Sequence, residues 1–156
     1  MIRTILILGT LVSVSTTSQA GPVEDLIRQR QSAYSLAAWQ LAKIKSQVVQ
    51  HPEQYDRQSV TYAALGLAAI AHSDLASLHT PGSEQGSGWQ KTRLKPEYFQ
   101  KPDEAKTLGL AFAQEATELA RIAETGDIAA IKTQFGKTSG TCKNCHDAFR
   151  LRDVDE

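Results

Sequence analysis

The sequence predicts an all-α fold, specifically an antiparallel four-helix bundle. Four stretches repeat apolar residues at intervals of three and four, and Pro or Gly residues separate them. No segment shows the sustained apolar–polar alternation that is typical of a half-buried strand. Helices joined by short turns pack antiparallel, so two short turns and one long loop are compatible with a bundle.

The first 20 residues have the features of a secretory signal peptide. Arg3 precedes the apolar run TILILGTLVSV, and SQA at 18–20 is a small-residue cleavage pattern before Gly21. The run is too short to span a bilayer, although an uncleaved N-terminal anchor is the alternative. We therefore expect residues 1–20 to be removed and residues 21–156 to form one exported domain without a membrane span.

The charge of the chain is balanced. Loss of Arg3 with the signal peptide reduces the 17 basic side chains to 16, against 17 acidic ones. Nucleic acids and anionic membrane surfaces select proteins with a basic excess, so neither is expected as a partner.

Each predicted helix has an inward stripe and a breaker at its end. Pro52 ends the first helix, because the residue before a proline disfavours the α conformation. The segment 80–102 is dense in Gly, Pro and Ser and is predicted to be a long loop. Gly126 and Asp127 are predicted to end the third helix and cap the fourth. The predicted helices run from about Glu24 to Gln50, from about Asp56 to His79, from near Pro102, and from Ile128 along a stripe that reaches Phe149.

The stretch TCKNCH at 141–146 contains both cysteines of the chain. Cys142, Cys145 and His146 share one helical face, on or beside the inward stripe. Structural zinc would need ligands from distant histidines, and a thioredoxin-type pair would need a βαβ context. C-x-x-C-H is the pattern of covalent haem attachment, and Gly136 and Gly140 leave room beside the helix. We therefore predict one covalent haem c, with His146 as its axial ligand.

The second axial position distinguishes gas binding from electron transfer. Met or His usually fills it in electron-transfer haems. The single methionine is Met1, so Met ligation is excluded once residues 1–20 are removed. Ligation by a second histidine stays open, because His72 and His79 are expected on one side of the second helix. His51, in a turn beside Pro52, is expected at the surface.

Two inward positions of the first helix need an explanation, because a charged residue is rarely buried without a partner. In one interpretation, the Arg30 side chain reaches solvent at the end of the bundle and Tyr34 is an ordinary core residue. Given a haem in the bundle, Arg30 could instead pair with a propionate while Tyr34 covers the open face of the iron.

The mature chain resembles cytochrome c′, the class II c-type cytochromes of bacterial periplasms. EDLIRQRQSAY at 24–34 is similar to the family's first helix, and GTCKNCHDAFR at 140–150 to its haem signature. The segment TPGSEQGSGWQKTRLKPEYF is similar to its long loop. The resemblance implies a periplasmic location, with thioether links at Cys142 and Cys145.

The resemblance also assigns the remaining site residues. It implies His146 as the proximal ligand, Arg150 beside the proximal face, Arg30 near the propionates and Tyr34 in the distal position. Family members bind NO and CO, commonly dimerise through their first two helices, and are linked to nitric oxide tolerance or electron transfer. A five-coordinate, high-spin haem protein that is not an enzyme is the expected function.

Three points stay open at this level. The alternative function is a low-spin electron carrier with a His sixth ligand. A peroxidase is disfavoured, because the inward stripes offer no obvious distal histidine near Tyr34. The redox partner is not identifiable from sequence.

Overall fold

The predicted all-α bundle is confirmed by the computed structural model, which describes residues 21–152. Its long helices are α1 (Pro22–Lys45), α2 (Arg57–Ala71), α4 (Pro102–Ala123) and α5 (Ile128–Phe149), and a single turn, α3 (Glu97–Gln100), lies in the long loop. Those described residues include no strand, although Ser87 bridges to Lys91 and Leu94 to Arg150. The predicted signal peptide at 1–20 lies outside the described residues.

Side-chain caps explain where two of the helices begin. Asp56 accepts a hydrogen bond from the Ser59 amide at 3.0 Å, and Asp127 accepts from Ala129 and Ala130 at 2.9 and 3.0 Å. Each such cap contributes about 1 kcal/mol. Gly126, with φ of +79°, makes the predicted turn between α4 and α5.

The first helix reaches its predicted end with a change of geometry. A π turn over Ser46–Gln50 continues α1, and His51 leaves the helical region at φ −136° and ψ 61°. Pro52 follows, so the predicted stop is confirmed.

The predicted end of the second helix is wrong. α2 stops at Ala71, and His72 caps it. Asp74 has the left-handed φ of +54°, which breaks the helix before the short 3₁₀ turn Leu75–Leu78. His72 and His79 therefore do not lie two turns apart on one helix.

The bundle is closed on three sides and open on the fourth. α1 packs on α2, α2 on α4, and α4 on α5, whereas α1 and α5 make few contacts. Burial of each large aliphatic side chain in this core stabilises the fold by about 1.5–3 kcal/mol. No helix within residues 21–152 combines the length and apolar character needed to cross a membrane. The fully buried core includes Ile27, Ile44, Val48, Val60, Leu67, Leu119 and Ile131.

Candidate functional site

The two thiols and the imidazole lie on α5, at the seam where α1 and α5 diverge. Cys142 and Cys145 are half-buried free cysteines, and His146 is exposed. Partial burial raises the pKa of the Cys142 thiol, opposed by a hydrogen bond with Thr141. The pKa of Cys145 is also raised, by burial first and then by the charge on Cys142. Both groups are therefore held as protonated thiols near neutral pH.

Gly136 and Gly140 of α5 have open space around them, and Gly136 is exposed. A Cβ atom added at either position would meet no other element of the fold within 4 Å. The prediction that both positions leave room beside the helix is confirmed, but at about 100° per residue they lie more than a quarter of a turn around α5 from Cys142 and Cys145. Each glycine costs about 1 kcal/mol in a helix interior relative to Ala.

Tyr34 of α1 faces the thiols across the seam. Burial raises the pKa of the Tyr34 phenol most, and electrostatic coupling to Cys145 and Cys142 of α5 raises it further, so the phenol stays neutral. Although it belongs to the inward stripe, 38% of Tyr34 is exposed, because this part of the stripe looks into the cleft.

An aromatic wall (Tyr34, His79, Tyr98 and Phe149) links α1 to the end of α5 and closes one side of the cleft. The His79 ring lies edge-on to Tyr34 at 6.1 Å between centroids and stacks on Tyr98 at 4.5 Å. Tyr98 then packs edge-on against Phe149 at 5.4 Å. The charge of Cys145 also raises the pKa of Tyr98, after burial, so this ring lies on the same cleft.

Arg30 is buried, as the inward stripe predicts, and its terminal nitrogens hold the long loop. One donates to Leu78 O at 3.1 Å and Ser83 Oγ at 2.8 Å, and the other to Ser83 O at 2.7 Å and Thr92 Oγ1 at 2.9 Å. Burial lowers the Arg30 pKa, yet a guanidinium stays charged in proteins. Within residues 21–152 its Nε–H has no acceptor, so that donor is the one available to a propionate.

Gln31, the next residue, fixes a second part of the same loop. Its side chain donates to Gln90 O at 2.8 Å and accepts from the Trp89 amide at 2.7 Å. A Cβ at Gly88 would lie 2.6 Å from the Arg28 backbone nitrogen, so only glycine allows this close approach. The loop over 80–102 is therefore a packed part of the site.

His146 lies on a different side of the thiols from Tyr34. It lines an open pocket with Arg93, Asp147, Arg150, Leu151 and Arg152. Although His146 as a whole is exposed, partial burial of its imidazole lowers the pKa of His146, and the Arg93 charge lowers it further. The imidazole is therefore held neutral, the form that coordinates a metal.

A strand-like pairing holds the loop against the end of α5. The Lys95 amide donates to Phe149 O at 2.9 Å, and the Leu151 amide donates to Arg93 O at 2.8 Å. Lys95 Nζ also donates to the last carbonyls of α5, at Asp147 and Ala148. These contacts place Arg150, half-buried, in the pocket of His146.

The other two histidines lie away from the cleft. His72 is exposed and shares a hydrogen bond of 2.9 Å with Thr117 of α4. His51 is exposed, as predicted, and lies 3.4 Å from Glu53. Of the two candidate sixth ligands, the structure thus brings only His79 to the cleft.

Sequence reasoning considered His79 only as a possible iron ligand, and it missed Tyr98, Ser83 and Thr92 as parts of the site. They belong to a segment without periodicity, so no stripe marks them. The turn-forming pair Ser73–Asp74 could have indicated that the helix ends before His79.

The residues of the cleft fit a covalently attached haem. Two protonated thiols and a neutral imidazole lie within about one turn of α5 and share one helical face. Across from them lie flat aromatic rings and a guanidinium with one remaining donor. These groups match a haem, which is a flat apolar ring that carries an iron and two negatively charged propionates at its edge.

Comparisons with known proteins agree with that fit. A family model described as Cytochrome C′ matches residues 25–150. A cytochrome c′ from Rhodocyclus tenuis is 45% identical over 130 residues, which are 83% of this chain and 96% of the relative. A solved cytochrome c′ with an unusual ligand-controlled dimer dissociation has a TM-score of 0.79 at 35% identity, covering 86% of this chain and 100% of its own. A nitric oxide complex of a mutant cytochrome c′ from Alcaligenes xylosoxidans has a TM-score of 0.74 at 26% identity, covering 86% and 100%.

Proposed function

This chain belongs to the cytochrome c′ family, whose cofactor is covalent haem c, and we propose that it is a periplasmic protein that binds NO and CO at a five-coordinate, high-spin haem. One observation carries the proposal: the residue that α1 contributes to the aromatic wall is Tyr34, and residues 21–156 contain no Met. A neutral phenol is a poor iron ligand, so the sixth position stays open to a small gas.

Three residues of α5 hold the cofactor in this proposal. Cys142 and Cys145 would each hold the haem through a thioether, formed by adding the S–H of the thiol across a vinyl double bond without an oxidant or reductant. His146 would supply the imidazole nitrogen that binds the iron. When bound, the haem supplies an iron that takes a diatomic ligand and cycles between its ferrous and ferric states.

Tyr34 controls access on the open side. The ring has to be displaced or bypassed before a ligand reaches the iron, which slows entry. The raised pKa keeps the phenol uncharged, so nothing at this position attracts a bulky anion. The site therefore selects small, neutral ligands such as NO and CO.

The two arginines have different roles. Arg30 offers its Nε–H to a propionate while its other donors hold the loop. Arg150, in the pocket of His146, lies where a ligand bound on the proximal side would meet a hydrogen-bond donor.

The electronic spectrum of the purified protein tests the coordination state. We expect a broad high-spin Soret band in the ferrous protein, which CO converts to a sharp low-spin band. Sharp low-spin α and β bands before CO addition would contradict the five-coordinate assignment.

A low-spin electron carrier is the second candidate, favoured by the place of His79 in the aromatic wall. His79 would become the sixth ligand if it displaced Tyr34. Substitution His79→Phe would then convert low-spin bands to high-spin ones, whereas His72→Phe would not.

We also propose a homodimer through α1 and α2. Four large apolar side chains are exposed beside the crossing of Gln40 and Gly66, where a Cβ on the glycine would lie 2.9 Å from Gln40 Nε2. The four side chains are Leu36, Trp39, Tyr62 and Leu65.

Sedimentation velocity tests this interface with a matched pair of variants. Leu65→Glu on α2 should yield monomers, because it places a charge in the proposed contact. Leu110→Glu on α4 changes an equally exposed leucine and should leave the dimer intact. Dissociation by both variants, or by neither, would contradict the assignment.

A role in nitric oxide tolerance or electron transfer follows from gas binding and iron redox chemistry, and the redox partner is unidentified. We propose that the protein binds these gases without turning them over. An NO-consumption assay under reducing conditions tests this, with linear turnover as the contrary result.

A further inference from the structure

His79 is held in one tautomer by the backbone. Its Nδ1 lies 3.0 Å from the carbonyl oxygen of Leu75, four residues earlier. A carbonyl can only accept, so Nδ1 carries the proton and donates. Nε2 therefore has the lone pair, and no donor within residues 21–152 is hydrogen bonded to it.

The aromatic wall fixes where this nitrogen can act. Stacking on Tyr98, with 17° between the ring planes, and edge contact with Tyr34 restrict the rotation of the imidazole. His79 therefore lies between Tyr34 of α1 and Tyr98 of the long loop, and Tyr98 packs on Phe149 at the end of α5. His146 instead lines the pocket with Arg93 and Arg150.

The surroundings keep the imidazole neutral. Burial lowers the pKa of His79 to about 4, the hydrogen bond with Leu75 opposes this, and the Arg30 charge lowers it slightly further. Tyr34 and Tyr98 face it as uncharged phenols, because their own pKa values are raised. The lone pair is thus available throughout the neutral range.

We propose that His79 Nε2 accepts the proton of a weak acid H–X that enters on the Tyr34 side of the haem. The site would then bind small weak acids such as hydrogen cyanide as well as gases. The inference rests on the proposed function, because it requires an open position beside Tyr34. A gas such as CO carries no proton and gains nothing from this residue.

The step is a proton transfer without a redox change. The H–X bond would break, the proton would join the Nε2 lone pair, and X⁻ would keep the bonding electrons, with ferric haem iron as the acceptor of X⁻. A bound metal ion makes its ligands far more acidic, by several pKa units for zinc-bound water. A weak base is therefore sufficient for this transfer.

Stopped-flow kinetics with two probes tests the proposal. Hydrogen cyanide is mixed with the ferric protein at pH 7, and CO with the ferrous protein. His79→Phe keeps an aromatic ring against Tyr98 but removes the base, so cyanide association should slow by about a hundredfold, the lower range of general-base effects. CO association should change little, and the matched control His72→Phe should change neither rate.

The two probes separate a proton acceptor from a steric effect. Equal changes in the cyanide and CO rates, or an unchanged cyanide rate, would overturn the proposal. Failure of the wild-type protein to bind CO would instead overturn the proposed function.

A second measurement needs no substitution at His79. In ¹⁵N NMR spectra of the diamagnetic ferrous–CO protein, His79 should show a protonated Nδ1 and an unprotonated Nε2. The opposite tautomer would also overturn the proposal, since Nε2 could then accept no proton.

Discussion

The two faces of α5 differ in what their polar groups do. On the face against α4, Gln134 Nε2 donates to Glu115 O at 3.2 Å, and Thr138 Oγ1 donates to the same carbonyl at 3.1 Å. Toward its C-terminal end, α5 instead has Cys142 and Cys145, which are half-buried free thiols. The polar groups on the α4 face form hydrogen bonds within the fold, whereas the thiols near the C-terminal end of α5 are not joined in a disulfide and stay available for reaction.

This difference separates stability from function along one helix. Changes on the α4 face should alter the free energy of unfolding and leave ligand binding intact. Changes on the cleft face should do the reverse, except where a residue also holds the long loop. Five substitutions or conditions test that division, in order of decreasing effect.

The double variant Cys142→Ala/Cys145→Ala should lose covalent haem completely. Each single variant should retain one thioether, because each thiol acts on a different vinyl group. Haem staining of a denaturing gel measures the covalent link. A double variant that still stains would disprove the assignment of these thiols.

Arg30→Met should destabilise the protein by about 3 kcal/mol or more, because several buried acceptors lose their donor and each such loss costs about 1–3 kcal/mol. The substitution removes the donors to Ser83, Thr92 and Leu78 O. Urea unfolding measures the loss. Arg28→Met is the control, since Arg28 is partly exposed and stacks on Trp89 at 5.3 Å. Equal effects would show that the loop does not depend on Arg30.

Lowering the pH should destabilise the fold through His79. Its folded pKa of about 4 lies below the ordinary 6.5 of an unfolded histidine, so the unfolded state binds the proton more tightly. The stabilisation is complete above pH 6.5 and is lost as the pH falls toward 4, by up to about 3 kcal/mol. Urea unfolding across this range should show the slope in the native protein and a weaker one in His79→Phe.

Tyr34→Ala should speed CO association on the order of tenfold or more, equivalent to about 1.4 kcal/mol of barrier. The alanine removes the ring that covers the approach to the iron. Tyr34→Phe keeps the ring and should remain slow. Unchanged rates for Tyr34→Ala would remove this residue from the ligand path.

Thr138→Val should cost about 1 kcal/mol, since it deletes one buried hydrogen bond to Glu115 O. The volume is nearly kept, and Gln134 still donates to that carbonyl. CO association should match that of the native protein. An altered CO rate would contradict the separation of the two faces.

Sequence reasoning succeeded where the physics is local. Helical periodicity is a property of neighbouring residues, so it predicted the shared face of the C-x-x-C-H motif and the cap at Asp127. It failed at the end of α2, because an Ala- and Leu-rich pattern continues past His72 while Asp74 adopts a left-handed conformation. No periodic signal marks that backbone change.

By itself, the amino-acid sequence determined the bundle, the haem attachment motif and the lack of a methionine beyond Met1, since these depend on composition and on spacing within one helix. Tertiary structure alone decided that Arg30 holds Ser83 and Thr92, and that His79 lies beside Tyr34. Such contacts join residues 45 or more positions apart along the chain. They depend on how the long loop, which has no periodic pattern, folds back onto α1. That arrangement results from hydrogen bonds and burial of many side chains at once, so no single stretch of sequence predicts it.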